Sequence, residues 1–293
     1  MKTRTGKVLR LAILAILFLS SALAYAQGYG QSQGQQKPPQ PPAQPGQPAQ
    51  QPAKPATTET SAPPVNAEEE AAYKALFEMK GSEAERLIQA GEEFLKKYPE
   101  SRYRESVYTR LTSAYMFTGQ DDKMFAASEK ALELNKDNVD VLALMALAMP
   151  RRWNPRALDA AQQLDRAEKY AKRATEIIAT IQKPEGMTDE DFTTAKNEKL
   201  YMCHSSLGVT YFHKQRFADS ASELEQATKL TTIPDVVDYY VLGLAYKQVK
   251  RYSDAAAAFG RCGEIPSPMQ APCKKNQEDA KKEAAAQPAP PKP

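Results

Sequence analysis

Few residues in this 293-residue chain are equipped for chemistry: it holds two histidines, three cysteines and one tryptophan. Cys203-His204 matches only the end of a haem attachment motif, because the first cysteine is missing. His213 lies nine residues further on, about two and a half helical turns away, with no clear carboxylate partner for a metal. Asp189-Glu190-Asp191 is a run of acids that suits the positive end of a helix rather than a carboxylate site. There is no Gly-rich phosphate loop, no His-Glu-x-x-His, no Cys-x-x-Cys and no Gly-x-Ser-x-Gly. The expectation is a protein with no catalytic residues, no metal and no cofactor.

Two features outside that inventory stand out. Cys262 and Cys273 flank a Pro-broken turn, Ile265-Pro266-Ser267-Pro268, that could fold back and bring them together. The two either form a disulfide, leaving Cys203 unpaired, or all three remain separate buried thiols. Arg151-Arg152-Trp153-Asn154-Pro155 carries the single tryptophan. Trp and Arg are favoured interface anchors, so Trp153 either meets a partner or folds back onto its own domain.

The ends of the chain differ from its middle. Lys2, Arg4, Lys7 and Arg10 precede an apolar run from Leu11 to Leu23, then Ala24-Tyr25-Ala26. This predicts a signal peptide over 1–26, cleaved near Ala26, and a periplasmic or secreted bacterial protein. The alternative is an uncleaved anchor, although the run falls short of the ~20 residues a spanning helix needs. Membrane contact is expected only through that leader. Without those four cations the net charge falls from +3 to −1, which excludes a basic nucleic-acid binder. Ten of the 22 prolines lie between Pro38 and Pro64, and 27–66 is rich in Gln, Pro and Ala. Such a segment buries too little apolar surface to offset its ordering entropy, so a disordered linker is expected there and a disordered tail at 287–293.

The middle repeats itself. Leu207-Gly208-Val209-Thr210-Tyr211 through Phe217 and Ser220 aligns without gaps, 35 residues on, with Leu242-Gly243-Leu244-Ala245-Tyr246 through Tyr252 and Ala255. Each continues into a second helical stretch, with Leu224 and Ala227 in one and Phe259 and Cys262 in the other. An earlier unit carries Tyr108, Leu111, Tyr115 and Gly119, then Ala131, Leu132 and Leu134. Another starts after Asn138 and resumes at Ala167, Ala171, Ala174 and Ile177, with an insertion before and after its second helix. Glu68–Lys80 and Ser82–Lys97 read as a further pair, with Ser82-x-x-Glu85 as a capping box. Thr188-x-x-Asp191 caps a long helix running into Tyr201, and Lys274–Ala286 reads as a polar helix supported by Glu278 and Lys282.

These units resemble the tetratricopeptide repeat (TPR), and the Phe94–Tyr103 stretch resembles TPR proteins of bacterial envelope assembly. The resemblance implies an all-α, right-handed superhelical solenoid of about four to five helix pairs over 67–272, closed by a polar capping helix at 273–286. It implies a non-catalytic scaffold that binds a protein partner or peptide segment on the concave face. The alternative is an architectural subunit of an outer-membrane or envelope assembly complex. Projected onto this sequence, the concave face takes Thr109, Ser113, Met116 and Phe117 from one unit. The later units add Met202, Val209, Phe212 and His213, then Tyr240, Leu244 and Lys247, with Trp153 from the insertion. Ser113, Val209 and Leu244 stand where the carboxylate-binding class has Asn, so a partly apolar ligand is expected. Phe212, Tyr240 and Leu244 are its expected apolar anchors, with Val209 and Leu244 sharing one exposed stripe. The sequence sets no oligomeric state.

Overall fold

The computed structural model describes residues 66–233 and 235–287. The leader over 1–26, the linker up to Val65 and the tail from Pro288 lie outside the described residues. Those described form eleven α-helices: α1 (Ala67–Glu78), α2 (Ala84–Lys97), α3 (Arg104–Thr118), α4 (Asp121–Leu134), α5 (Val139–Arg151), α6 (Ala160–Thr180), α7 (Asp189–His213), α8 (Phe217–Leu230), α9 (Val236–Gln248), α10 (Tyr252–Glu264) and α11 (Gln270–Ala286). They are five antiparallel pairs and a closing helix, the all-α solenoid expected. Each helix packs on the next, and the first helices also touch across pairs, α3 on α5, α5 on α7 and α7 on α9.

Local chemistry explains where the helices begin. Asn66 accepts from the backbone N–H of Glu68 and Glu69, Asn138 from Val141, Thr188 from Asp191 and Asp235 from Val237. The Ser82–Glu85 capping box does not form. Gly81–Glu83 is instead a short 3-10 turn, and the Glu83 carboxylate accepts from the Lys80 N–H, so α2 starts two residues later than Ser82. The closing helix starts at Gln270, ahead of Pro272, because proline is tolerated in a first turn that needs no N–H. Its Glu278 pairs with Lys281 at 2.8 Å rather than with Lys282, which faces Asp279. The turn inside three of the pairs uses one left-handed residue four places after the packed tyrosine: Gly119, Gln215 and Lys250.

A single pair cannot cover its apolar stripe, so stacking carries the fold. Within the later pairs the two helices approach until no side chain fits between them. A Cβ on Gly208 would lie 2.4 Å from Leu224, and one on Gly243 would lie 2.7 Å from the Phe259 ring. Both partners are fully buried.

Between pairs, one interlock recurs three times. A tyrosine hydroxyl of a first helix donates to a glutamate of the preceding second helix: Tyr115 to Glu92 (2.7 Å), Tyr211 to Glu168 (3.3 Å) and Tyr246 to Glu225 (2.7 Å). A cation closes each over the tyrosine ring: Lys123, Arg216 and Arg251. At Glu168 burial works to raise the carboxyl, but hydrogen bonds and charge from Lys172 and Lys214 prevail and hold it at about 2.

The insertion in the third pair takes a helical form. The α5–α6 connection is an ordered loop, and α6 and α7 are longer than their counterparts. Lys199 of α7 pairs with Asp140 in the first turn of α5 at 2.5 Å. The ten residues from Asp189 to Glu198 therefore precede the point where α7 meets α5, an overhang of about 15 Å at the helical rise.

Two measurements test this packing. Gly208→Ala is expected to lower unfolding stability by about 1–3 kcal/mol, since Leu224 is locked in the core; an unchanged urea midpoint would show that α8 yields instead. Glu168 has a folded pKa below its unfolded value, so its contribution is complete above about pH 4.5 and is lost as pH falls toward 2. That contribution is on the order of 3 kcal/mol. Denaturant titrations from pH 5 to 2.5 should show a shallower loss in Glu168→Gln than in the parent protein.

Candidate protein-binding site

The inner helices are keyed together by a buried polar cluster. Arg151, the last residue of α5, reaches past α7 to Asp238 of α9, with Nη2 2.7 Å from Asp238 Oδ1. The same Nη2 donates to Ser205 Oγ of α7 at 2.7 Å, and Nη1 donates to the Leu147 carbonyl. Ser205 also donates to Asp238 Oδ1, and Tyr201 donates to Oδ2 at 2.8 Å. Asp238 is wholly buried. Burial pushes its carboxyl up, against the pull of Arg151, Ser205 and Tyr201. Burial opposes the charge on Arg151 too, but Asp238 and Asp235 outweigh it and raise the guanidinium. A second polar contact depends on Pro150, which has no N–H to give the Ala146 carbonyl one turn back. Ser206 of α7 supplies the missing donor at 2.8 Å.

These contacts fill the middle of the inner face. Val209 and Met202, expected in the groove, are instead core residues, 3% and 5% exposed. The physical reason is that α5 and α9 flank α7 closely on both sides. The exposed stripe shared by Val209 and Leu244 therefore does not exist, although Leu244 itself stays half-buried. Tyr240 turns its ring edge to Phe259 of its own pair at 5.8 Å and is half-buried.

The other expected residues cluster near the C-terminal ends of the first helices. Met116 and Phe117 end α3, and Met116 shares an apolar cluster with Leu147 of α5. Trp153 folds back: its indole N–H donates to the Ala160 carbonyl at 2.8 Å and its ring lies 4.5 Å from that of His213. His213 donates through Nε2 to the Pro150 carbonyl at 3.1 Å, and burial pushes its pKa down, so the ring is neutral at pH 7. Phe212 sits edge-on to His213 and Phe217 and shares the last apolar cluster with Leu244. Lys247 is held by Glu283 of α11 at 3.1 Å. Arg152 pairs with Asp121 at 2.8 Å and ties the Trp153 loop to the turn after α3. The arrangement is thus a row of half-buried apolar and aromatic groups along four consecutive first helices, with few free charges.

Sequence reasoning missed Arg151, Ser205 and Asp238 as a unit. The one available signal was Asp238 itself, a lone acid among Val236, Val237, Tyr239, Tyr240 and Val241. Its partners are 33 and 87 residues away, so no local pattern names them. His204 is half-buried, with Nδ1 2.7 Å from Glu223 Oε2. Among the described residues no group of three His, Cys, Asp or Glu could hold a metal ion.

Stacked pairs, packed tyrosines and a lined inner face define a helical-repeat protein. Residues 105–138, spanning α3 and α4, match the tetratricopeptide repeat model. No curated protein matches the chain. Similar solved structures include TTC0263, a thermophilic TPR protein of Thermus thermophilus, at 13% identity over 72% of this chain and 98% of that one, with a TM-score of 0.45. PilW, a widely conserved type IV pilus biogenesis factor, is 14% identical over 75% of this chain and 92% of its own, with a TM-score of 0.49. The TPR domain of P58(IPK) is 12% identical over 74% of this chain and 65% of that one, with a TM-score of 0.31.

Arg151→Met removes one member of a buried charge pair and strands Asp238. Stability is expected to fall by about 3–5 kcal/mol, whereas substitution of an exposed pair such as Lys130–Glu133 should cost less than about 1 kcal/mol. Chemical denaturation of both variants checks this, and equal costs would mean that the cluster is hydrated.

Proposed function

We propose that the protein is a scaffold of the bacterial cell envelope, without chemistry of its own, that holds a partly apolar segment of another protein on its first-helix face. The observation that carries this is the row Met116, Phe117, Leu147, Trp153, Phe212, His213 and Leu244, all of which stay half-buried. Half-buried apolar groups on a rigid frame lose little entropy on contact and gain from full burial. The neutral His213 and the paired Lys247 leave the row without a strong charge to hold a terminal carboxylate. Export rests on the basic-apolar-small pattern of Met1–Ala26.

The test is site-specific photocrosslinking in the exporting cell. A benzoylphenylalanine at 117, 147 or 244 should trap one common protein, while the same group at Lys169 or Lys229 on second helices should not. Phe117→Ala and Leu244→Ala should keep the fold by circular dichroism and weaken capture of that protein by more than about 1 kcal/mol each. Adducts only from the second-helix positions would move the site to the outer face.

A further inference from the structure

We propose that α11 is a redox-released cap: the Cys262–Cys273 disulfide holds it on the end of the stack, and reduction by a dithiol frees it and uncovers the outer face of α10. The bridge joins α10 to the first turn of α11 with Cα atoms 5.7 Å apart. Apart from the bridge, α11 lies close along α10 but buries little of its own side-chain surface there. Of its 17 residues only Cys273 and Ala280 are buried, and one of these is half of the bridge. Three polar ties add to the packing: Lys247 to Glu283, Gln270 Nε2 to the Gly263 carbonyl at 3.0 Å and Gln287 Nε2 to the Lys250 carbonyl at 2.9 Å. Most other helices of the stack bury an apolar stripe, whereas α11, like the terminal α1 with its single buried residue Leu76, buries little and offers Lys and Glu to solvent.

The surface beneath α11 is built to receive a helix. Gly260 and Gly263 leave room for close approach; a Cβ on Gly260 would lie 2.6 Å from the Gln277 amide, and one on Gly263 would lie 3.2 Å from Lys274. Phe259 and Ala280 share the last apolar cluster. Gly91 of α2 admits Leu111 of α3 in the same way, so α11 occupies the face on which a next first helix would dock. Its departure also removes Glu283 from Lys247. The chemistry balances as ordinary exchange. A thiolate of the dithiol attacks one sulfur, the S–S bond breaks, and the second thiol resolves the mixed disulfide. Cys262 and Cys273 end as thiols, having taken two electrons and two protons, and the dithiol ends as a disulfide. Both sulfurs lie fully buried, so attack requires the first turn of α11 to fray.

The experiment is hydrogen–deuterium exchange on the full chain, oxidised and after dithiothreitol, with thiol alkylation to score the bridge. On reduction the amides of 271–287 should exchange ~100-fold faster, the loss of constraint expected for a loop this short. Those of α9 and α10 should change less than about twofold. The double variant Cys262→Ala, Cys273→Ala should behave as the reduced protein without any reductant; if it fails to fold, the reduced parent chain decides. Unchanged protection of α11 on reduction would overturn the proposal by making the bridge a passive staple. Equal loosening of α9 and α10 would overturn it by making the bridge a support of the whole end, and so would finding both thiols free in protein taken from the exporting cell.

Discussion

Gly208 and Leu224 touch across a gap that admits no other atom, and the same is true of Gly243 and Phe259. The rest of the solenoid depends on this close approach. It sets the spacing within a pair and so the position of the tyrosine one turn on. Tyr211 and Tyr246 then reach the glutamates of the preceding pair. A wider pair would leave those hydroxyls short of their acceptors and open voids beside Leu224 and Phe259, at a cost that scales with the cavity.

Polar groups then fix which helix meets which. Ser206 answers the carbonyl that Pro150 leaves free, and Arg151 can meet Asp238 only if α5, α7 and α9 keep one mutual rotation. A buried ion pair adds little net stability, because desolvation offsets its attraction. Its effect here is exclusion, since any other stagger would bury Asp238 unpaired. Three successive pairs are held as one body by this means, while the second pair is joined to the third by the apolar cluster that holds Leu111 and Met145 and by Asn138 with Glu105.

This has a consequence for recognition. Val209 and Ser205, buried between α7 and its neighbours, offer no surface to a partner. On the scaffold reading proposed above, the surface that would meet a partner is the rim formed by the ends of α3, α5, α7 and α9. Binding there would order few groups on this side of the interface, which favours affinity per unit area. The Trp153 loop belongs to the same rim and is fastened at both ends, by Arg152 to Asp121 and by the indole to Ala160.

The helix pairs were legible from sequence because their causes are local. The period of Leu207, Gly208 and Tyr211, the caps at Thr188 and the turn after Tyr246 all act within a few residues. The pairing of Cys262 with Cys273 was open on sequence because closing the turn depends on how α10 and α11 pack. The identity of the groove residues was less legible. Val209 and Leu244 occupy equivalent places in two repeats, yet one is core and the other half-buried. Periodicity assigns a face to each residue but not the cover over that face. Val209 packs in a cluster with residues of α8 and of α9, which begins 27 residues later, and the Arg151–Asp238 pair spans 87 residues. Such contacts arise only when the superhelix closes around α7, because burial is a property of the stack and not of the repeat.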